Sequence, residues 1–236
     1  MQTDDRSYGS TLSYHRLHPE ISLERYVRTK VLETADRVLT RKRIYLDTRY
    51  WVALRDVRLE RPRGVVDEEL LVTLYQLVKS EKVICPINAN ILAELLKQRD
   101  ERTRLATGRL IDDLSLGTAI QSEDERIGTE IIHCLQRSLR GADAIEPLER
   151  LVWTSASYLL GYVFPTVDIL PPAEMLACQK AFTDDLWKIP FADQISMLGE
   201  APKDLDESWN RIAEKINCET RKHGGTPPSF KQVHLD

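Results

Sequence analysis

The chain has 236 residues, of which 42% are hydrophobic and 30% charged, a balance typical of a globular protein and not of a disordered one. The net charge of -4 excludes a globally basic nucleic-acid binder, although it allows a local basic surface. The polar start Met1–Asp5 is unlike a secretory signal, and no apolar run reaches membrane-spanning length, so we expect a cytoplasmic protein. The four cysteines include no CxxC pair, which argues against a zinc knuckle.

Residues 1–40 are predicted to form an N-terminal arm followed by one helix. Apolar residues recur with helical period from Leu23 to Leu39, and Ser22 is a suitable N-cap for that helix. The basic run Arg41–Arg43 then ends the helix and leads into the first predicted strand.

The stretch RIYLDTRYWVAL contains the first candidate functional residue. Ile44–Leu46 is predicted to be a buried strand, and it runs into Asp47, where an ionised carboxylate is costly unless something pairs with it. Aspartate is also a common helix N-cap, and a helical pattern follows at once. Two interpretations of Asp47 therefore stay open from the sequence: a helix cap, or a ligand at the end of a strand.

A second strand and helix follow in KVICPINANILAELLK. Lys82–Cys85 is a short apolar run that ends at a proline, as a buried parallel strand does when it leaves a sheet. Asn88 is a suitable cap for the next helix, which carries Glu94. The alternation of strands and helices predicts a parallel sheet, so we expect Ile44–Leu46 and Val83–Cys85 to be neighbours.

The chain beyond residue 100 is predicted to be strongly helical. A third short strand is expected at Thr118–Ile120, and residues 223–228 have the composition of a linker. We therefore divide the chain into the N-terminal region, a core of residues 41–135, and a helical region of residues 136–236 with a linker-like tail. The predicted helices are Glu101–Leu116, Asp124–Leu139, Glu146–Gly161, Ala173–Lys188 and Leu205–Arg221.

Asp47 and Glu94 are expected to converge at one end of this sheet. Ligands of open parallel sheets bind outside the carboxyl ends of the strands, and both acids follow such an end. Two carboxylates held close repel each other, so they favour an added cation, and oxygen ligands suit Mg²⁺ or Mn²⁺. Such an ion activates water and stabilises charge on a phosphate under attack. An ordinary surface position for Glu94 is the other interpretation.

The order of RIYLDTRYWVAL, a helical spacer, KVICPINANILAELLK and DERTRLATGRLIDDLS resembles the opening half of a PIN-like nuclease domain over about residues 42–135. In that family the first strand ends in a catalytic Asp followed by Thr or Ser, as in Asp47-Thr48, and a second strand and helix deliver a Glu, here Glu94. The resemblance implies an α/β fold with a PIN-like three-layer core and a short parallel sheet. It also implies a metal-dependent ribonuclease that acts on RNA, with a role as a toxin or in antiphage defence.

This sequence departs from the family pattern at two points. Arg49 stands where the family often has Asn, and the further acids expected near the C-terminus are not evident. The nearest candidate motif is Thr183-Asp184-Asp185, but it lies inside the predicted helix Ala173–Lys188. We therefore expect the remaining acids in a missing segment or in another polypeptide, and the alternative is a non-catalytic helical interaction subunit with a degenerate metal site.

Basic residues cluster in sequence around both candidate acids. Arg49 and Lys97 are predicted to contact phosphate, as a binder of the nucleic-acid backbone requires, whereas solvated helix faces would also produce such a pattern. Tyr50 and Trp51 suit stacking on bases or, as residues of a helix after a core strand, packing. The other basic residues of this predicted rim are Arg41, Lys42, Arg43, Arg55, Arg58, Arg61, Arg63, Arg99, Arg102 and Arg104.

Overall fold

Helices make up most of the chain that the structure describes, and the strand content is small. The structure is a computed structural model, and it describes residues 8–62, 64–98, 100–141, 145–161, 164–166 and 169–197. Within these ranges, no helix is both long and apolar enough to cross a membrane. The helices are α1 (Tyr8–Arg16), α2 (Leu23–Leu39), α3 (Thr48–Arg58), α4 (Val65–Lys79), α5 (Ala89–Leu96), α6 (Glu101–Ser115), α7 (Glu123–Arg140), α8 (Leu148–Leu151), α9 (Pro172–Lys188) and α10 (Phe191–Met197), with a 3₁₀ helix at Ala156–Leu160.

The described strands form two small sheets. Strand β1 (Lys42–Arg43) pairs in parallel with β2 (Val83–Ile84), and β3 (Thr118–Ile120) pairs antiparallel with β4 (Trp153–Ser155). A parallel bridge between Ile87 and Ala119 links the chain just after β2 to β3. The predicted pairing of the first two strands and the third strand at Thr118–Ile120 are thus confirmed.

The first strand lies two residues earlier than predicted. Ile44 N still donates to Ile84 O at 2.9 Å, but Cys85 N donates to Leu114 O in α6 at 2.9 Å, so the ladder with the first strand does not continue past that point. Both residues of β1 are exposed, whereas both residues of β2 are buried. The apolar run that was expected to be a strand therefore leaves the sheet, and only its last residue, Leu46, is buried.

The predicted helix Glu146–Gly161 is wrong. Only the short α8 forms there, followed by β4 and the 3₁₀ helix. Trp153 lies opposite Ile120 in the β3–β4 pair, and its Nε1 donates to Glu149 O at 2.7 Å. Pairing with β3 satisfies the backbone hydrogen bonds of this segment. A partner strand that is distant in sequence thus overrides a helical pattern of apolar residues.

The other predicted helices within the described residues are confirmed to within one residue at each end. They correspond to α6, α7 and α9, and the predicted caps Ser22 and Asn88 both accept a backbone N–H of their helices. The predicted helix Leu205–Arg221 and the linker-like residues 223–228 lie outside the described residues.

The main hydrophobic core lies among α3, α4, α5 and α6 and the end of β2. Trp51 and Leu54 of α3 and Leu95 of α5 are fully buried in it, so the packing interpretation of Trp51 is confirmed. Burial of side chains of this size is worth about 1.5–3 kcal/mol each. This packing holds the first turn of α3 against α5, and the candidate site lies where these two helices meet.

Candidate active site

Asp47 is an exposed residue between β1 and α3, and it is the N-cap of α3. Its Oδ1 accepts Arg49 N at 3.0 Å, and its backbone is extended, as the N-cap position requires. Buried residues anchor it on both sides, because Leu46 precedes it and Trp51 lies on the first turn that follows. The cap interpretation of Asp47 is therefore correct, and its contact with the backbone uses one of the two carboxylate oxygens.

Glu94 lies on the exposed face of α5, close to the residue that follows Asp47. Thr48 Oγ1 donates to Glu94 Oε2 at 2.5 Å. A short side chain such as threonine reaches a glutamate only when the two backbones approach closely, and burial of Leu92 on the opposite side of α5 supports this approach. The structure thus brings Thr48, the residue that follows Asp47, into contact with Glu94 after the carboxyl ends of β1 and β2.

The start of α5 is tied to the chain that precedes Asp47. Asn88 Oδ1 accepts Ile91 N at 2.9 Å and so caps the helix, while Asn88 Nδ2 donates to Tyr45 OH at 3.0 Å. Sequence reasoning assigned no role at the site to Tyr45. Strand-like alternation could have indicated it, because Tyr45 and Asp47 are exposed on either side of buried Leu46.

We expect Asn88→Ala to lower the free energy of unfolding by about 1 kcal/mol, because it removes the cap of α5. Asn88→Asp keeps an acceptor for Ile91 N and should lose little. Asn90→Ala is the matched control, since Asn90 is exposed on the first turn of the same helix. Urea unfolding of the three variants measures the effect, and equal stabilities of Asn88→Ala and Asn90→Ala would show that the cap contributes nothing.

The basic surface near the two acids is smaller than predicted. Arg49 is exposed, its Nη2 donates to Tyr50 OH at 2.7 Å, and its guanidinium lies 4.6 Å from the Tyr50 ring centroid. Lys97, which directly follows α5, is also exposed. Other members of the predicted rim are bound to acids: Arg41 to Glu81, Arg55 to Asp56, and Arg58 to Asp113. Arg63 and Arg99 lie outside the described residues.

Acids on neighbouring helices have other partners. Both carboxylate oxygens of Asp112 accept backbone N–H groups at the start of α10, from Phe191 at 2.7 Å and Ala192 at 2.9 Å. Burial raises the pKa of Asp112, and these two N–H groups oppose that rise. Asp113 contacts Arg58 and accepts a hydrogen bond from the Tyr75 hydroxyl.

Asp184, from the motif Thr183-Asp184-Asp185, does not complete this site. Asp184 is buried on α9, where it accepts hydrogen bonds from Tyr26 and contacts His15 and Lys30, all on α1 and α2. Its position inside one continuous helix is as predicted. Across the described part of the chain, no group of three or more His, Cys, Asp and Glu side chains is placed to hold a metal ion.

The candidate site therefore consists of the exposed carboxylates of Asp47 and Glu94, the Thr48 hydroxyl that donates to Glu94, and the cation of Arg49 close in sequence to Asp47. These groups offer oxygen ligands to a hard cation and a positive charge to a phosphate. The chain was compared with protein-family models, with curated proteins and with solved structures, and none of the three comparisons found a match.

Proposed function

We propose that this chain is a divalent-metal-dependent ribonuclease of PIN-like type, in which Asp47 and Glu94 bind Mg²⁺ or Mn²⁺. The observation that supports the proposal is the contact between Thr48 Oγ1 and Glu94 Oε2 at 2.5 Å. This contact joins the residue that follows Asp47 to a glutamate 46 residues away in sequence, after the carboxyl ends of a parallel strand pair, where ligands of such sheets bind. A surface glutamate and an isolated helix cap would not need this arrangement.

The residues present suit such an ion but supply only part of its coordination shell. Asp47, Glu94 and the Thr48 hydroxyl supply oxygen donors, which Mg²⁺ and Mn²⁺ prefer. Magnesium takes about six ligands, so water and a substrate phosphate would occupy the remaining positions. A bound ion would supply an activated water and stabilise negative charge on the phosphate that is attacked.

The protein groups around the acids would bind and orient the RNA. Arg49 would exchange its contact with Tyr50 for a phosphate group, two of whose oxygens a guanidinium binds through parallel hydrogen bonds. Lys97 would bind a second phosphate as a point charge. Tyr45 and Tyr50, 58% and 38% exposed, offer ring faces on which unpaired bases stack, which favours single-stranded RNA.

With two carboxylates, the chain alone should bind Mn²⁺ weakly and cleave RNA slowly. A further acid from another polypeptide would complete the shell and raise both the affinity and the rate. Control of this kind, through a second component, suits a toxin or an antiphage effector, which is the role that the PIN-like resemblance implies.

The first test is cleavage of a labelled single-stranded RNA by the purified chain in Mn²⁺. Glu94→Gln should abolish the slow cleavage, because the amide loses the charge that binds the ion. Glu69→Gln is the matched control, since Glu69 is an exposed helical glutamate on α4. Cleavage that persists in Glu94→Gln, or that EDTA does not stop, would contradict the proposal.

A second measurement separates Asp47 as a ligand from Asp47 as a cap alone. Asn caps a helix about as well as Asp, so Asp47→Asn without metal should melt at or above the wild-type temperature. Binding stabilises the wild type by RT ln(1 + [L]/Kd), about 2.7 kcal/mol at a hundredfold excess over Kd, and the variant should lose this gain. A wild type whose melting does not respond to millimolar Mn²⁺ would remove the ligand assignment.

The second candidate function is a non-catalytic interaction subunit. The observation that favours it is that Asp47 already has a complete structural role as the cap of α3. In that case we expect Mn²⁺ to leave the melting temperature unchanged, and we expect no metal-dependent cleavage. The two measurements described above therefore decide between the two candidates.

A further inference from the structure

The buried guanidinium of Arg41 has more hydrogen-bond donors than the protein around it uses. Its side chain is 8% exposed, and its Nη2 donates to Glu81 Oε1 at 3.1 Å. The other two nitrogen atoms, Nε and Nη1, are buried and have no acceptor among the residues that the structure describes. Buried donors without acceptors are costly and rare in proteins, and a bound ion is one explanation for them.

Glu81 uses only part of what this guanidinium offers. Nη2 belongs to both edges of the guanidinium, because one edge pairs it with Nε and the other pairs it with Nη1. One oxygen of Glu81 contacts Nη2, and the neighbouring donor on each edge stays unused. The Glu81 side chain is 78% exposed, and within the described part of the chain Arg41 is its only hydrogen-bond or ion-pair partner. Since so exposed a carboxylate is held weakly, a stronger acceptor can displace it.

A second arginine lies four residues before Arg41. Arg37 is in the last turn of α2, and its Nη2 donates to the Thr118 hydroxyl at 2.9 Å. None of the described acids forms an ion pair with Arg37, and its neighbour Asp36 is bound to Arg150. Burial and the charge of Arg41 lower the pKa of Arg37, so the two guanidinium groups are close enough to repel each other. The two arginines thus have a single carboxylate partner, which leaves one positive charge uncompensated.

The surface beside these arginines is also basic. Lys42 and Arg43, which form β1, and Lys82, which directly precedes β2, are all exposed. Lys42 N donates to Lys82 O at 2.9 Å, so the two strands are adjacent at these lysines. Asp47 and Glu94 follow the opposite ends of the same strands. This basic surface is therefore separate from the candidate active site.

The helix dipole explains only part of this arrangement. Arginines near the end of a helix offset the partial negative charge of its last carbonyl groups. That effect accounts for the charges of Arg37 and Arg41, but it does not require a guanidinium to be buried with unused donors, which is costly. An anion with several oxygen atoms accounts both for the uncompensated charge and for the unused donors.

We propose that Arg37 and Arg41 form a phosphate-binding site, in which a phosphate group takes the place of Glu81. Two phosphate oxygens would accept Arg41 Nη2 and the donor beside it, which is the parallel pair that a guanidinium forms with phosphate. Arg37 would supply the second cation, and Lys42 and Lys82 would bind neighbouring phosphates of a longer ligand. Free phosphate and the backbone of RNA share this chemistry. The site requires no metal ion, so it does not depend on the proposed ribonuclease activity.

Isothermal titration calorimetry of the full chain with inorganic phosphate, in EDTA and at constant ionic strength, tests the proposal. The wild type should bind phosphate at millimolar concentration, and chloride should not replace it. Glu81→Gln should bind phosphate severalfold more tightly, because the variant removes the competing carboxylate and its repulsion. Arg37→Gln should weaken binding by about tenfold, because it removes one of the two cations. Both residues are exposed, so circular dichroism should show that both variants are folded.

A matched control and an RNA titration complete the experiment. Arg28 is an exposed arginine of the same helix, and Arg28→Gln should bind phosphate as the wild type does. A short single-stranded RNA that displaces phosphate would identify the RNA backbone as the ligand, whereas RNA that leaves phosphate bound would identify free phosphate. A wild type that does not bind phosphate, a Glu81→Gln variant that binds it no more tightly, or equal losses in Arg37→Gln and Arg28→Gln would each overturn the proposal. Because EDTA removes metal ions, such a failure would leave the ribonuclease proposal standing.

Discussion

Replacement of Asp184 by alanine should lower the free energy of unfolding by about 3–5 kcal/mol at neutral pH, the cost of removing one partner from a buried charged cluster. Asp184 Oδ2 is 2.8 Å from His15 Nε2, Asp184 Oδ1 is 3.3 Å from Lys30 Nζ, and the Tyr26 hydroxyl donates to Oδ1. The variant leaves these three polar groups without their shared acceptor, and it loosens α9 from α1 and α2. Guanidinium unfolding measures the loss.

The contribution of Asp184 to the free energy of unfolding should depend on pH. Burial by itself raises the pKa of Asp184, but hydrogen bonds from Tyr26 and His15 and the charge of Lys30 outweigh it, so the pKa is lowered. The stabilisation is therefore fully present above the unfolded value of about 3.9 and is lost as pH falls through the folded pKa. The difference between wild type and Asp184→Ala should shrink over that acid range.

Asp185→Ala is the control for this prediction. Asp185 is the next residue of the same helix, and burial raises its pKa, so its charge does not stabilise the fold. We expect its removal to change the stability by less than about 0.5 kcal/mol. If the two variants were equally stable, the contacts of Asp184 would not be what holds α9 against α1 and α2.

Gly108→Ala should destabilise the protein by about 1–3 kcal/mol, although alanine is the better helix former. Gly108 lies in α6 where α10 crosses it. A Cβ there would be 2.8 Å from Ala192 Cα and 3.1 Å from Ile195 Cδ1. The first of these atoms is backbone, so α10 would have to move, and the two hydrogen bonds from its start to Asp112 would be strained.

Gly128→Ala is the matched control, because Gly128 is also inside a helix and a Cβ there meets nothing within 4 Å. It should raise the stability by about 0.5–1 kcal/mol. Urea unfolding of both variants measures whether each substitution lowers or raises the free energy of unfolding. A stabilising Gly108→Ala would show that α10 adjusts without cost.

Local signals were enough to predict part of the site. The cap at Asn88, the apolar run before Pro86 and the position of Glu94 on the following helix all depend on residues within one turn or one strand. The convergence of Glu94 with the Asp47–Thr48 turn followed from the rule that parallel strands share an edge. The contact of Asn88 with Tyr45 was missed, because it joins side chains 43 residues apart.

The helices with strong periodicity and good caps could be predicted from the sequence alone, as could the parallel pairing of the first two strands, although not the exact residues of the first strand. The tertiary structure decided which distant groups meet. Trp153 joins β3 in place of a helix, Asp184 serves a buried cluster, and α7 turns its apolar face outward. Caps and periodicity arise from neighbours along the chain, whereas a strand partner, a buried charge and the exposed side of a helix depend on residues that folding brings together.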